Sequence, residues 1–114
     1  MEDPIVRHIV LARFHDQATA ADRKRFIDVV NAAISAIPYV SGFGTGSVVE
    51  PRTYTRGNTE HWDWGQSFEM PLSKTHFYES EEPAHHAVRD ALDIPSIVAQ
   101  FAILDFVVDF RGPQ

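Results

Sequence analysis

The chain has 114 residues, the usual size of one domain, so its length excludes a two-domain enzyme with a separate cofactor-binding half. Apolar residues make up 44% and charged residues 23% of the sequence, a balance typical of a soluble globular protein. The formal net charge is -6, which disfavours binding to nucleic acid or to an anionic membrane surface.

Cysteine usage and the first residues narrow the classes of protein further. No cysteine is present, so disulfide bonds, zinc–thiolate sites, iron–sulfur clusters and a cysteine nucleophile are excluded. The acidic start of the chain and the lack of an apolar run of about 20 residues predict a cytoplasmic protein without a signal peptide or a membrane span. No internal repeat or long linker divides the sequence, so we expect one domain over residues 1–114.

The first two elements are predicted to be a strand and a helix. Residues 6–14 are rich in β-branched and aromatic side chains and are followed by a polar stretch, which predicts a strand. Apolar side chains then recur at helical spacing, namely Phe26, Val29, Val30, Ala33, Ile34 and Ile37. This stripe predicts a helix over residues 19–36. Thr19 is its expected N-cap with Asp22 three residues on, and Pro38 marks its far end.

Two further strands are predicted to form a β-hairpin in the middle of the chain. Residues 41–50 are rich in glycine, which weakens a strand or marks bulges. Residues 59–69 carry aromatic side chains such as Trp62 and Trp64, which favour a strand. The charged segment 51–58 between them contains proline, glycine and asparagine, the composition of a solvated loop.

The last part of the chain predicts helical structure followed by a strand. Helical segments are expected over residues 72–79 and from Pro83, because proline suits the first helical position. His85 and Val88 then share one helix face. The acidic run Glu79, Glu81 and Glu82 reads as a solvated helix start. Residues 101–110 are almost continuously apolar, as expected of a strand buried on both sides.

The order β-α-β-β-α-β predicts an α+β fold, a four-stranded antiparallel sheet of ferredoxin-like topology with both helices on one face. The other face would be an apolar patch, because alternation can place a set of side chains away from His8 and Val10: Ile9, Leu11, Trp62, Trp64, Leu104, Phe106 and Val108. A monomer seldom leaves such a patch in water, so we expect a homodimer whose sheets pack face to face. Trp62 and Trp64 are accordingly expected in the dimer core.

Several short motifs, taken in order, resemble the stress-responsive A/B barrel (Dabb) family over about residues 5–110. They are Arg7-His8-Ile9-Val10-Leu11 in the first strand, Ala36-Ile37-Pro38 at the end of the helix, His61 in the third strand, Pro83-Ala84-His85 at a helix start, and Val107-Val108-Asp109-Phe110 in the last strand. The resemblance implies a dimeric α/β barrel with a pocket between the sheet and the helices of each subunit. Glu82 departs from the family, which usually has histidine before the proline.

The resemblance also implies roles for individual residues, because the family includes a polyketide cyclase and a related hydroxynitrile lyase, although many members have no assigned activity. The cyclase closes its ring without a cofactor. His85 matches the base of the Pro-Ala-His motif, and Tyr78 matches an upstream tyrosine that orients the substrate carbonyl. The further residues expected to bind or orient the substrate are His8, Val10, Phe26, Ile27, His61 and Asp109.

The chemistry of these residue types agrees with such roles, although each has a structural alternative. Histidine, with an ordinary pKa near ~6.5, can take and return a proton beside a carbonyl, and a phenol can donate a hydrogen bond to the developing enolate. A histidine on an apolar helix face is also commonly a satisfied core residue. Asp109 and Asp105 share a parity in the last strand, and Asp109 could pair with a histidine or with Arg7 or Arg13.

The leading hypothesis is therefore cofactor-free acid–base chemistry of aldol, cyclisation or lyase type on a small, largely apolar carbonyl compound. One alternative is a non-catalytic, stress-related protein that binds a small ligand in the same pocket, and another is a cofactor-independent monooxygenase. A metal site made of His8, His61, His85 and Asp109 has a weak signal, because these residues lack a compact ligand spacing. We therefore expect no metal, no cofactor and no nucleic-acid partner.

Overall fold

The structure, a computed structural model, describes residues 2–49 and 61–113. Its strands and helices follow the predicted order, with one short helix before the last strand that was not predicted. In chain order the elements are β1 (Ile5–Phe14), α1 (Ala20–Ser35), β2 (Ser41–Ser47), β3 (Trp64–Pro71), a 3-10 turn (Leu72–Lys74), α2 (Thr75–Ser80), α3 (Pro83–Ala91), α4 (Ile94–Ile97) and β4 (Val98–Val107). The predicted loop at 51–58 and the first two residues of the predicted third strand lie outside the described residues.

The four strands form one sheet in the order β2-β3-β1-β4. β1 pairs antiparallel with both β3 and β4, and β2 pairs antiparallel with β3, as the predicted hairpin requires. Two long strands are therefore central, and β2 and β4 form the edges. This topology confirms the predicted α+β, ferredoxin-like fold with a four-stranded antiparallel sheet.

α1 begins at the predicted capping box. The Thr19 hydroxyl accepts a hydrogen bond from the backbone N–H of Asp22 at 3.0 Å, and the Asp22 carboxylate accepts one from the backbone N–H of Thr19 at 3.4 Å. The apolar stripe of α1 buries Phe26, Val30 and Ile34 in the core. Among the helices in the described ranges, none is both long and apolar enough to cross a membrane.

α3 begins with Pro83 at its first position, as predicted, and Glu82 is its N-cap. One oxygen of the Glu82 carboxylate accepts a hydrogen bond from the backbone N–H of Ala84 at 3.0 Å, and the other accepts one from the Tyr39 hydroxyl at 2.5 Å. Burial and this contact with Glu82 raise the pKa of Tyr39 above its usual range. The expectation that Glu82 is solvated is wrong, because the side chain is buried and these two donors replace water.

The strand register decides which side chains face the helices. The inner face of β1 includes His8 and Val10, and the pairing places Gln66 opposite Val10 and Trp64 opposite Ala12. Residues directly opposite each other point to the same side of a sheet. Trp64 is therefore an inner residue, 3% exposed, and its expected place in the dimer core is wrong. Alternation in β3 allows Trp64 to face either side of the sheet. The pairing with β1 places it on the inner side, whereas the outer side was expected from the sequence.

β4 differs from its prediction because it lies at the sheet edge. Its side chains are mostly exposed on both faces of the single chain, so the expectation that the segment 101–110 is buried on both sides is wrong. The register does place Leu104 opposite Ile9 on the outer face, with Phe106 on the same side. An apolar outer face is therefore present, as predicted, although Trp64 is not part of it.

An ion-pair cluster also lies on the outer face. Glu69 of β3 is opposite Arg7 of β1 and accepts a hydrogen bond from its guanidinium. A second guanidinium, from Arg111, donates to the same carboxylate at 2.9 Å. The hydrogen bonds from Arg111 and Arg7 lower the pKa of Glu69. Glu69 is therefore ionised in the folded protein at neutral pH.

Candidate active site

A cavity of about 670 Å³ lies between the inner face of the sheet and the helices. Most of its wall is apolar, and a few polar side chains project from different elements. The lining residues are His8, Val10, Phe26, Val30, Ile34, Trp64, Gln66, Tyr78, Glu79, His85, Val88, Arg89, Leu92, Ile94, Pro95, Phe101 and Ile103. A cavity of this size with few convergent polar groups is typical of a small-molecule site.

Tyr78 of α2 and His85 of α3 meet at the turn between these two helices. Their rings are stacked, with centroids 5.1 Å apart and planes 12° from parallel. Nδ1 of His85 lies 3.2 Å from the backbone carbonyl oxygen of Tyr78. Because a carbonyl oxygen accepts hydrogen bonds and cannot donate them, Nδ1 carries the proton. Nε2 of His85 therefore carries the lone pair and is the nitrogen that can accept a proton.

The surroundings of His85 favour its neutral form. Burial lowers the pKa of His85, and the positive charge of Arg89, one turn further along α3, lowers it more. The hydrogen bond to the Tyr78 carbonyl acts in the opposite direction but does not outweigh these two causes. The imidazole is therefore unprotonated at neutral pH, as a general base must be.

The surroundings of Tyr78 favour its protonated form. Burial raises the pKa of Tyr78 to about 12, and the negative charges of Asp105 and Glu82 contribute. The ring packs edge-on against Phe68 and His8, with centroids 5.4 and 5.3 Å away. Within residues 2–49 and 61–113 the hydroxyl makes no hydrogen bond. The phenol is therefore a protonated donor that lines the cavity and is not used by its neighbours.

His8 supplies a second imidazole to the cavity, and its partner is Asp105. The two residues lie opposite each other on β1 and β4. Nδ1 of His8 is 2.5 Å from Oδ1 of Asp105, and since a carboxylate accepts, Nδ1 donates and Nε2 is left for other contacts. Asp109, for which an orienting role was expected, does not pair with His8, because β4 ends at Val107 and Asp109 is exposed beyond that end.

Two other expected site residues lie outside the cavity wall. His61 precedes β3 and is exposed, with Nε2 2.7 Å from Oδ1 of Asp63. Burial opposes the ionised form of Asp63, but the hydrogen bonds from the Phe14 backbone N–H and from His61 outweigh it and lower its pKa. Ile27 packs against the core, and it lies about 100° round α1 from Phe26, which lines the cavity. His61 and Ile27 therefore do not line the cavity, whereas Val10 and Phe26 do.

The possible metal ligands do not come together. In the part of the chain that the structure describes, no group of three or more histidine, aspartate or glutamate side chains is placed to hold a metal ion. His61 and Asp109 are both exposed and do not line the cavity that contains His8 and His85.

The sequence matches one known protein family over most of its length. The family model described as "Stress responsive A/B Barrel Domain" matches residues 6–108. The chain belongs to this family. None of the curated proteins compared with this A/B barrel domain matches it.

Solved structures share the fold of this A/B barrel domain. A Dabb family protein from Mesorhizobium loti is 22% identical with a TM-score of 0.71, covering 91% of this chain and 96% of that chain. A dimeric ferredoxin-like protein of unknown function from Thermobifida fusca is 18% identical with a TM-score of 0.71, covering 93% and 92%. The hydroxynitrile lyase from Passiflora edulis is 13% identical with a TM-score of 0.73, covering 98% and 100%. At these identities the likeness shows the fold.

Some residues that line the cavity of this A/B barrel domain, or that contact its lining residues, were not predicted as site residues. Asp105 and Asp109 are four residues apart and share a parity, so alternation alone could not choose between them. Gln66 is a single polar residue among the inward aromatic side chains of β3, and that contrast was the available signal. Val30 and Ile34 continue the helical stripe from Phe26 at four-residue steps, so the stripe itself pointed to them.

Proposed function

We propose that this A/B barrel protein catalyses cofactor-free acid–base chemistry on a small carbonyl compound bound in the cavity. The observation that supports this most strongly is the stacked pair of His85 and Tyr78, which combines a proton acceptor with a protonated donor. His85 acts as the general base through Nε2, and Tyr78 holds the carbonyl oxygen of the substrate through its hydroxyl. Most of the cavity wall is apolar, which lowers the local dielectric constant, so both interactions are stronger than they would be in bulk water.

In an aldol or cyclisation reaction, Nε2 of His85 takes a proton from the carbon next to the carbonyl. The electron pair of that C–H bond forms the enolate, whose oxygen accepts the hydrogen bond from Tyr78. The enolate carbon then attacks a second carbonyl carbon, and the new alkoxide takes the proton back from His85. When both carbonyls belong to one molecule, the step closes a ring, which is the polyketide cyclase-like form of the reaction.

A lyase reaction uses the same two groups. Nε2 of His85 takes the hydroxyl proton of a hydroxynitrile, the carbonyl forms as the carbon–carbon bond to the nitrile breaks, and cyanide leaves with the bonding electrons. The Passiflora edulis neighbour is a hydroxynitrile lyase, which supports this form of the proposal. Both forms need one base beside one donor, so the first experiment tests that shared requirement.

His8 and Asp105 would orient the substrate. The bond to the Asp105 carboxylate fixes the ring of His8, which is buried beside the ring of Tyr78. A hydrogen bond with one ionised partner is shorter and stronger than a neutral one, so the position of His8 is well defined. In this proposal, Asp105 has the orienting role that was expected of Asp109.

Exchange of the α-protons of acetophenone in D2O, followed by proton NMR, tests the base without knowledge of the natural substrate. We expect the wild type to accelerate exchange and His85→Ala to lower the enzymatic rate by about 10²–10⁴-fold. His86→Ala is the matched control, because His86 is exposed on the same helix and contacts the Ser80 carbonyl oxygen at 3.1 Å. Thermal unfolding of both variants shows whether either change alters the fold.

The outcomes separate this proposal from its alternatives. Equal exchange rates in the wild type and His85→Ala would contradict a base at position 85. Binding of acetophenone without exchange would favour the non-catalytic ligand-binding protein. Oxygen uptake on addition of a phenolic substrate would favour the cofactor-independent monooxygenase.

We also propose that the protein is a homodimer. The outer sheet face carries Ile9, Leu104 and Phe106, and the last two are 60% and 42% exposed in the single chain. Burial of such a face at ~25 cal/mol per Å² would drive association. The Thermobifida fusca neighbour is described as dimeric, which supports this assembly. Sedimentation at micromolar concentration should give a dimer, and a species of the 12.9 kDa chain mass alone would contradict it.

A further inference from the structure

Two hydrogen-bond donors in the cavity wall have no partner. Nε1 of Trp64 and the amide nitrogen Nε2 of Gln66 are enclosed, and neither bonds to any residue within 2–49 or 61–113. The two side chains are 3% and 5% exposed, and both residues line the cavity. A buried donor without a partner costs free energy, so a pair of them in one wall calls for a physical reason.

The two donors lie on one side of the proposed reaction centre. Trp64 and Gln66 are two residues apart on β3, so they share the inner face of the sheet. The next inward residue, Phe68, is opposite His8 and packs against the ring of Tyr78. Gln66 is therefore one two-residue step, about 7 Å, along the sheet from the row where His8 and Tyr78 meet.

The neighbours of Gln66 within the described chain leave its amide nitrogen unsatisfied. Val10, opposite it on β1, is apolar. Thr45, opposite it on β2, donates its hydroxyl to the backbone carbonyl of Gly65 at 3.2 Å. The remaining side is the cavity. The last torsion of a glutamine side chain is broad, so a small rotation presents the amide to a molecule bound there.

Trp64 differs from Gln66 because its side chain is held in one orientation. Its indole packs edge-on against the ring of Phe26, with centroids 5.5 Å apart, so its orientation is set by the core. The indole N–H donates and cannot accept. Nε1 of Trp64 has almost no accessible surface, so Gln66 is the residue of this pair that can turn its donor toward an acceptor bound in the cavity.

We propose that Gln66 binds a second oxygen of the substrate, so that the cavity selects carbonyl compounds carrying an ether or carbonyl oxygen remote from the reacting carbonyl. This inference rests on the proposed function for the position of the reacting carbonyl. In an aromatic ketone, an oxygen at the para position lies at the opposite end of the ring from the carbonyl. The Gln66 amide then makes its hydrogen bond when the substrate binds, and an apolar group in that position leaves it unsatisfied.

Two aromatic ketones of matched shape test the proposal by isothermal titration calorimetry. 4-Methoxyacetophenone carries the second oxygen, and 4-ethylacetophenone replaces it with a methylene group. We expect the wild type to bind the methoxy ketone about tenfold more tightly. Gln66→Leu should abolish this preference by weakening the methoxy ketone alone, and Gln66→Met provides a second variant if leucine impairs folding. Gln17→Leu, at an exposed position after β1, is the matched control and should keep the preference.

The readout is independent of turnover, so it separates this proposal from the proposed function. His85→Ala should keep the preference for the methoxy ketone even though it removes the base. If that variant loses no activity while Gln66→Leu still loses the preference, the acid–base proposal fails and the oxygen site stands. Three results would overturn the oxygen site: the wild type binds the two ketones equally, the wild type binds neither of them, or Gln66→Leu lowers the affinity for both ketones by the same factor.

Discussion

Replacement of Tyr78 by phenylalanine separates the chemistry of the hydroxyl from the packing of the ring. The ring keeps its three aromatic neighbours, His8, Phe68 and His85, whose centroids lie 5.3, 5.4 and 5.1 Å away. Within the described ranges the hydroxyl makes no hydrogen bond, so its removal leaves no donor or acceptor there without a partner. We therefore expect the free energy of unfolding to change by less than about 1 kcal/mol.

In the proposed reaction, the same substitution removes the donor that faces the enolate oxygen. Loss of one preorganised donor of this kind lowers a rate by about 10²–10³-fold, which corresponds to about 2.7–4 kcal/mol of transition-state stabilisation. Burial raises the pKa of Tyr78 to about 12, so the wild-type phenol remains a donor throughout the neutral and mildly alkaline range. The wild-type pH profile should therefore show no loss of activity from ionisation of Tyr78 below about pH 10.

Two measurements on one pair of proteins check this reasoning. Acetophenone exchange in D2O gives the rate, and urea unfolding followed by far-UV circular dichroism gives the stability of wild type and Tyr78→Phe. A large rate loss with nearly unchanged stability is the expected result. An exchange rate within twofold of wild type would refute the role of the hydroxyl, and a stability loss above about 3 kcal/mol would show that the hydroxyl serves the fold.

Three further substitutions test contacts around the site and on the outer sheet face by urea unfolding. Asp105→Asn replaces a charge-assisted bond to His8 with a neutral one and should cost about 1 kcal/mol, whereas unchanged stability would deny the contact in solution. Tyr39→Phe leaves the buried Glu82 with one donor fewer and should cost about 1–3 kcal/mol; an unaltered unfolding midpoint would count against that bond. The pKa of Glu69 is lower in the folded than in the unfolded chain, so its contribution is complete above the unfolded pKa and is lost as pH falls through the folded pKa. Glu69→Gln should therefore flatten the acid side of the stability profile, and parallel profiles would contradict the ion pairs.

The elements with strong local patterns could be predicted from the sequence. The stripe that includes Phe26, Val30 and Ile34 places α1, and the capping box at Thr19 places its first residue, because both signals come from neighbours along the chain. Pro83 marks the start of α3 in the same way. The order of these elements then allows few topologies, which is why the ferredoxin-like sheet could be expected.

The positions that were wrong depend on pairing between distant parts of the chain. A period of two divides a strand into two faces but does not say which face is inner, so Trp64 was placed on the wrong side. The same period cannot separate Asp105 from Asp109. The pairing of β1 with β4 selects Asp105, because it puts that residue opposite His8 and ends the strand before Asp109.

His61 and Glu82 show that the exposure of a side chain does not follow from its motif or from its neighbours in sequence. His61 is the residue of a family motif, yet it precedes β3 and pairs with Asp63 at an exposed position. Glu82 follows an acidic run typical of solvated helix starts, yet the Tyr39 hydroxyl reaches it from a position 43 residues away. The partner of Glu82 is distant in the sequence, so the burial of Glu82 could not be predicted locally. The partner of His61 is only two residues away, but the sequence pattern did not show that β3 begins after His61, at Trp64.

In the proposed reaction the two cavity histidines have different roles, which follow from the partners of their Nδ1 atoms. In each ring Nδ1 donates to an oxygen, which leaves Nε2 for the substrate. His8 donates to the carboxylate of Asp105 on the neighbouring strand, and a charge-assisted bond between two strands holds a ring firmly, as an orienting group requires. His85 donates to the neutral carbonyl of Tyr78, while burial and Arg89 lower its pKa. His85 is therefore the histidine suited to accept a proton, and an exchange activity that survived His85→Ala but not His8→Ala would reverse this assignment.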